Sequence, residues 1–190
     1  MIADGAPSRA LPTGNRTSLT PMAPAVSSAR AWIGTVVFLF LAPGVVAGLI
    51  PWLITGWRWA DWGAAAGIVR PIAWILIVAG VTFLLHAFAL FARHRGTPAP
   101  VAPTETLVVT GVYRFVRNPM YLAVLAIILG QALLFGSWGL VVYAAIALTA
   151  VVAFVKGYEE PTLTRTYGEQ YLDYRRHVPG WWPRLTPWRS

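Results

Sequence analysis

The stretch NPMYLAVLAIILGQALLFGSWGLVVYAAIALTAVVAFV, residues 118–155, runs for 38 residues without a formal charge, between Arg117 and Lys156. One membrane-spanning helix needs about 20 apolar residues, so this run is too long for one and just long enough for two. Its middle reads Phe135-Gly136-Ser137-Trp138-Gly139, a turn signal that leaves two helices of roughly 17 residues and 25 Å each. Against a hydrocarbon core of about 30 Å, such helices need flanking side chains to snorkel or the bilayer to thin. Two more uncharged runs lie upstream: 27 residues from Ala31 to Trp57, and 22 from Pro71 to Ala92 with His86 as the sole ionisable group. Each is one helix long. The sequence therefore predicts an all-α integral membrane bundle with four transmembrane helices, at about 32–55, 71–92, 119–135 and 139–156. Pro43 and Pro51 are expected to bend the first or break it near its outer end.

Composition agrees. Of 190 residues, 57% are hydrophobic and 12% charged, about half the charged share of a soluble domain, and the mean hydropathy is +0.59. The length allows one domain. The absence of cysteine removes disulfides, thiolate metal sites and thiol nucleophiles together. A net charge of +8 in so apolar a chain fits an anionic membrane surface, with no nucleic acid as partner and no metal. Soluble enzymes, secreted scaffolds and DNA-binding domains fit poorly.

The cations give the orientation. Three precede the first span (Arg9, Arg16, Arg30), four lie between spans two and three (Arg93, Arg95, Arg114, Arg117), and six follow span four (Lys156, Arg165, Arg175, Arg176, Arg184, Arg189). Only Arg58 and Arg70 lie on the other side. This bias predicts a multi-pass protein of the plasma or inner membrane with both termini cytoplasmic. Trp57, Trp59, Trp62 and Trp138 then form an outer aromatic belt, and Trp32, Trp181 and Trp182 an inner one. Residues 1–30, rich in Pro, Ser, Ala and Gly, read as a disordered cytoplasmic tail ahead of a membrane domain at 31–190. The first apolar run begins too late and continues too long for a signal peptide.

Polar residues concentrate in two cytoplasmic segments, a loop at 94–118 and a C-terminal stretch at 157–190. In the first, Asn118-Pro119 marks a helix start: Asn caps free amides, and Pro at the first position has none to leave unpaired. With Arg117 and Arg114 alongside, the site suits a carboxylate or phosphate; it equally suits a plain helix start whose arginines grip lipid headgroups. In the second, Glu159 and Glu160 stand at a helix C-terminus, where the dipole opposes negative charge by roughly 0.3–1 kcal/mol. Pro161 is expected to break the helix there. Such a pair calls for a cation: Lys156, Arg117, Arg114 or a cationic ligand; a solvated charge cluster is the alternative. Leu163, Tyr167, Tyr171 and Tyr174 recur at helical spacing and predict a short amphipathic helix on the membrane or over a site.

Taken together, Gly111-Val112-Tyr113-x-x-x-Arg117-Asn118-Pro119-Met120-Tyr121, Gly130-Gln131, Glu159-Glu160, Tyr167-Gly168-x-x-Tyr171-x-x-Tyr174 and Val178-Pro179 resemble the isoprenylcysteine carboxyl methyltransferase family and its phospholipid methyltransferase relatives. The resemblance covers about residues 100–183. It implies an integral membrane methyltransferase that takes S-adenosylmethionine from the cytosol and a lipophilic acceptor from the bilayer. It further implies a cofactor site at Glu105, Thr106, Leu107, Val108, Tyr113, Asn118, Pro119, Met120, Tyr121 and Glu159, and catalytic roles for Arg117, Glu159 and Glu160. The cofactor's carboxylate suits the helix start at Asn118, and its ammonium and sulfonium suit the two glutamates. Methyl transfer from a sulfonium needs positioning and exclusion of water rather than a covalent nucleophile.

Two departures bear on the acceptor. The prenylcysteine enzymes commonly have His where this chain has Asn118, and both can cap a helix and donate a hydrogen bond. Those enzymes also place an Arg one turn before the first Glu to hold the substrate carboxylate. Here that position is Val155, with Lys156 out of phase by about 100°. A phospholipid amine or a small thiol therefore stands beside the carboxylate as acceptor, and a non-catalytic membrane scaffold is the alternative outside enzymes. His86 reads as a mid-span histidine, either bonded to a neighbouring helix or serving as proton acceptor; Gln131 reads as a bridge between helices.

Overall fold

The computed structural model describes residues 42–93 and 107–189, and among them every regular element is helical. The expected tail at 1–30, the first part of span one, and Glu105 and Thr106 lie outside the described residues.

The first apolar helix, Ala42–Thr55, contains a π-turn at Val45–Leu49 that leads into α1 (Ile50–Thr55). Pro51 explains the turn. Proline lacks an amide, and its ring crowds the carbonyl four residues back; the wider turn makes room, and the Ile50 amide reaches back five residues to the Val45 carbonyl. The Ala47 carbonyl, which loses Pro51 as its regular donor, accepts instead from Gln131 Nε2 at 2.7 Å. The Tyr143 hydroxyl donates to the adjacent Val46 carbonyl at 2.9 Å. Pro51 thus distorts the helix without ending it, and Gln131 bridges helices. The stop comes at Gly56, whose φ of 57° is left-handed.

α2 (Ala66–Arg93) follows a short 3-10 turn at Gly63–Ala65. It begins five residues before the expected start at Pro71. A charge boundary marks where apolar solvent begins rather than where the helix does, and Asp61 Oδ1 already accepts the Gly63 amide at 3.0 Å to start the turn. The 28 residues of α2 span about 42 Å. His86 lies two turns from the C-terminal end of this helix, beside Gly111, where a Cβ would come within 2.9 Å of its Nε2.

α3 (Pro119–Phe135) and α4 (Trp138–Phe154) flank the expected turn. Gly136 takes φ 59°, and Ser137 Oγ accepts the Leu140 amide at 3.3 Å. The last carbonyls of α3 are also satisfied: Trp62 Nε1 donates to Leu133 at 3.0 Å and the Ala60 amide to Leu134 at 3.3 Å. Trp62, expected in the outer aromatic belt, thus caps a helix.

α2 and α3 are antiparallel and pack most closely. A Cβ on Gly80 would lie 2.7 Å from the Ala123 carbonyl oxygen, and one on Gly130 would lie 2.8 Å from that of Ala73. Each glycine sits seven residues from the small residue that receives its partner, so the two helices meet at two reciprocal contacts near backbone distance.

The chain does not break at Pro161. A second π-turn, Val155–Glu159, carries α4 directly into α5 (Glu160–Tyr167). Again the residue before the proline, Glu160, donates its amide five residues back, to Val155. The same device absorbs the same defect twice. A break follows at Gly168 (φ 53°), and α6 (Glu169–His177) closes the helical part. The expected aromatic stripe is divided by this break, and Tyr171, Tyr174 and Val178 are buried against Leu107 and Val109 instead of facing lipid.

The helix Trp138–Tyr167 and the helical stretch Gly63–Leu90 are long and apolar enough to cross a membrane, while Ala42–Thr55 and Pro119–Phe135 are shorter apolar helices. Ile68, Ile75 and Val78 on α2, and Val142 and Ile146 on α4, are each more than half exposed. A surface of this kind is stable in lipid and association-prone in water.

Candidate active site

The site forms where the N-terminus of α3 meets the second π-turn and the C-terminal segment. That segment is bound to the approach to α3 by backbone bonds: the Arg117 amide to the Pro179 carbonyl at 2.9 Å, Asn118 to Gly180 at 3.2 Å, Arg184 to Phe115 at 2.9 Å and Trp188 to Arg114 at 3.0 Å. Arg114 Nε returns a bond to the Trp188 carbonyl at 2.6 Å. The Val178-Pro179 motif thereby acquires a physical role, since its carbonyls hold both the Arg117 backbone and, through Nε at 2.9 Å, its guanidinium.

Arg117 is the hub. Its Nη1 lies 2.7 Å from Glu160 Oε1 and donates to the Tyr171 hydroxyl at 3.1 Å. Arg175 Nη2 reaches Glu160 Oε2 at 3.3 Å. Of the candidate cations for the glutamate pair, Arg117 is the one in place for Glu160, and Arg175 is a second. A desolvated pair of this type is stable only when its remaining lone pairs and protons are also bonded, a condition that Tyr171, Val178 and Arg175 meet here. Burial pushes the Tyr171 phenol up despite the opposing pull of Arg117. Burial also raises Tyr174, whose hydroxyl stays protonated and donates to the Tyr113 carbonyl at 2.7 Å.

Glu159 points elsewhere. Its Oε2 accepts from the Tyr121 hydroxyl at 3.0 Å, and among the described residues no cation forms an ion pair with it. Asn118 corrects the expectation of a side-chain cap. It occupies the N-cap position, but its side chain makes no capping bond; with ψ at 51° it turns towards Gly180 instead, 3.5 Å from where a Cβ on that glycine would sit. Asn118 is 7% exposed, and its Nδ2 has no hydrogen-bond partner among the described residues. A buried amide donor left unpaired costs about 1–3 kcal/mol, so it marks a place where an acceptor belongs.

The site thus gathers Arg117, Asn118, Tyr121, Glu159 and Glu160 within one turn of α3. Pro119 is buried at the first helical position. Val108 and Tyr113 pack with Ala87 behind it, Met120 packs against two core clusters, and Leu107 lies on the Tyr171–Tyr174 cluster. An apolar cavity of about 300 Å³ runs from the site between the helices, lined by Val46, Leu84, Phe88, Val124 and Phe154. Among the described residues, Tyr121 supplies the one polar side chain in that lining. Sequence reasoning missed Arg175, Trp181 and the polar role of Tyr171. Trp181, expected in an aromatic belt, lies with its ring 6.4 Å from that of Tyr121. The only signal for Tyr171 was its place in the Tyr-Gly-x-x-Tyr-x-x-Tyr series, which periodicity alone assigns to packing.

The phospholipid methyltransferase family matches residues 68–170, a range that includes Arg117, Asn118, Tyr121, Glu159 and Glu160. Methanethiol S-methyltransferase 2 of Bradyrhizobium diazoefficiens (strain USDA 110) is 30% identical over 146 residues, covering 73% of this chain and 49% of that protein. The chain thus spans about half the length of the curated relative it matches. No solved structure matches it.

Proposed function

Because the chain belongs to the phospholipid methyltransferase family, we propose that it is a membrane methyltransferase acting on a lipophilic acceptor drawn from the bilayer, with S-adenosylmethionine as methyl donor. In this reading four helices span the membrane, both termini are cytoplasmic, and the site lies at the cytoplasmic end.

One juxtaposition carries the reading. The orphan amide of Asn118 and the carboxylate of Glu159, which is bonded to Tyr121 and makes no ion pair among the described residues, lie at the same end of α3. The amide suits the carboxylate of S-adenosylmethionine and Glu159 suits its positive end, so the unsatisfied groups of the protein match the charges of the ligand. Leu107, Val108, Tyr113, Pro119 and Met120, together with Glu105 and Thr106, would complete the binding surface. When bound, the cofactor supplies a methyl group already activated on a sulfonium. The protein contributes alignment and a dry site: Arg117 and Glu160 lock the C-terminal segment over the end of the bundle, and the apolar cavity gives an acceptor a route between the helices. Tyr121 Oη stands between cavity and carboxylate, placed to accept an acceptor's proton while its own passes to Glu159.

The acceptor range extends from an isoprenylcysteine carboxylate through a phospholipid amine to a small thiol. The cavity favours the thiol, because among the described residues it offers no polar side chain apart from Tyr121 to hold a charged headgroup, and the curated relative carries a thiol methyltransferase name. A scaffold role would leave the Asn118 amide without a reason to be buried unpaired.

S-Adenosylhomocysteine at millimolar concentration is expected to raise the thermal midpoint of the detergent-solubilised protein by several degrees, and Glu159→Ala is expected to abolish the shift. A wild-type protein that does not respond contradicts the cofactor assignment.

A further inference from the structure

Beside the Arg117–Glu160 pair lies a second cavity, of about 660 Å³ and wholly different character. Arg117, Lys156, Arg165 and Arg175 all line it, against one carboxylate, Glu160. Both oxygens of that carboxylate are already engaged, by Arg117 at 2.7 Å and Arg175 at 3.3 Å. Lys156 and Arg165 have no ion-pair partner among the described residues, so the cavity keeps an excess of about three positive charges. Lys156, Arg165 and Arg175 are exposed, so water screens their mutual repulsion, and an anion that enters the space is attracted by all of them.

The location supplies the rest. Lys156 is the first charge after 38 uncharged residues, so it marks the level at which the helical hairpin leaves hydrocarbon. The second π-turn places it there: Val155 is buried, while Gly157 leaves open space, with nothing within 4 Å of where its Cβ would be. Trp181 forms an aromatic wall. Guanidinium forks with an ammonium, at the depth of lipid phosphates, are the donor set that phosphate recognises.

We propose that this cavity is an anion site that binds a phosphate group, with the phosphate of an anionic lipid headgroup as its occupant in the membrane. The site is separate from the apolar cavity, and the proposal holds whichever acceptor is methylated. Bound phosphate neutralises Lys156 and Arg165 and ties the second π-turn and α5 to the bilayer surface.

The test uses the full chain in neutral detergent at fixed ionic strength, titrated with dihexanoyl phosphatidic acid and, separately, with inorganic phosphate, and read by calorimetry. The lipid is expected to bind saturably, and Lys156→Gln with Arg165→Gln to weaken it at least tenfold. Lys156→Gln alone should weaken it less, and Arg189→Gln, outside the cavity, should leave it unchanged. Phosphate binding as tightly as the lipid would keep the site but assign it to a soluble ligand. Failure of both to bind, or equal weakening by Arg189→Gln, overturns the proposal. An S-adenosylhomocysteine shift retained in the double variant shows that the protein is folded, and it separates failure here from failure of the methyltransferase reading.

Discussion

Replacing Arg117 with methionine is expected to lower stability by roughly 3–5 kcal/mol, the usual penalty for removing one partner of a buried, hydrogen-bonded ion pair. That is a large part of the total stability of a typical domain. The loss has three components at one side chain: Glu160 keeps only the longer contact to Arg175, the Val178 carbonyl loses its donor, and the Tyr171 hydroxyl loses its donor. Lysine restores the charge without the fork, because one ammonium on a flexible stem does not reproduce the planar donor set spread over Glu160, Tyr171 and Val178. Arg117→Lys should therefore recover less than half of the loss. Removing both charges, in Arg117→Met with Glu160→Gln, should be more stable than Arg117→Met alone, since no carboxylate is then left stranded. Thermal midpoints of the four proteins in one detergent decide the matter, and an Arg117→Met protein as stable as wild type would remove the hub from this account.

Leucine at Gly80 or Gly130 is expected to force α2 and α3 apart. Even a methyl group at either position would stand within 2.8 Å of a backbone carbonyl oxygen, so relief requires movement of a helix rather than of a side chain. Overpacking costs about 1–3 kcal/mol where side chains can give, and more is expected here because they cannot. The effects should be strongly sub-additive: once one leucine has opened the pair, the second meets less resistance. Gly67→Ala is the control, at a helical position with nothing within 4 Å of the added carbon; it should be neutral or stabilising by up to about 1 kcal/mol. Protease resistance and thermal midpoint in detergent would both report the difference. Leucine variants at 80 and 130 as stable as the Gly67→Ala protein would contradict the close approach.

The elements legible in the sequence are those with local causes. Uncharged runs gave the apolar helices, Gly136-Ser137 gave the turn between α3 and α4, and Asn118-Pro119 gave the start of α3. The demand of Glu160 for a cation was also legible, because adjacent carboxylates repel one another wherever the cation comes from; the helix end expected there is absent, since the helix runs on to Tyr167. The misses have equally definite causes. Rules for proline describe the regular α-helix, so they predicted a bend or break at Pro51 and a break at Pro161, where in each case a single π-turn accommodates the ring. Asn118 follows the cap preference by position, but its backbone is bound to Gly180 and its side chain is turned away. Arg175 and Tyr171 reach the site across more than 50 residues from Arg117, and no spacing rule connects them. Ala73 with Gly80, and Ala123 with Gly130, form a visible pattern of small residues at seven-residue spacing. Which helix each pair would face became clear only from the packing.

The central claim is that the end of the bundle at Asn118 and Glu159 directs methyl transfer to a molecule arriving through the apolar cavity. The direct measurement is to incubate purified protein with methyl-labelled S-adenosylmethionine, a total membrane lipid extract and a series of small alkyl thiols, and to follow the label. The account predicts label in a lipid-soluble or volatile product, lost in Glu159→Ala. Label in no acceptor of either kind, from protein that remains folded, would contradict it.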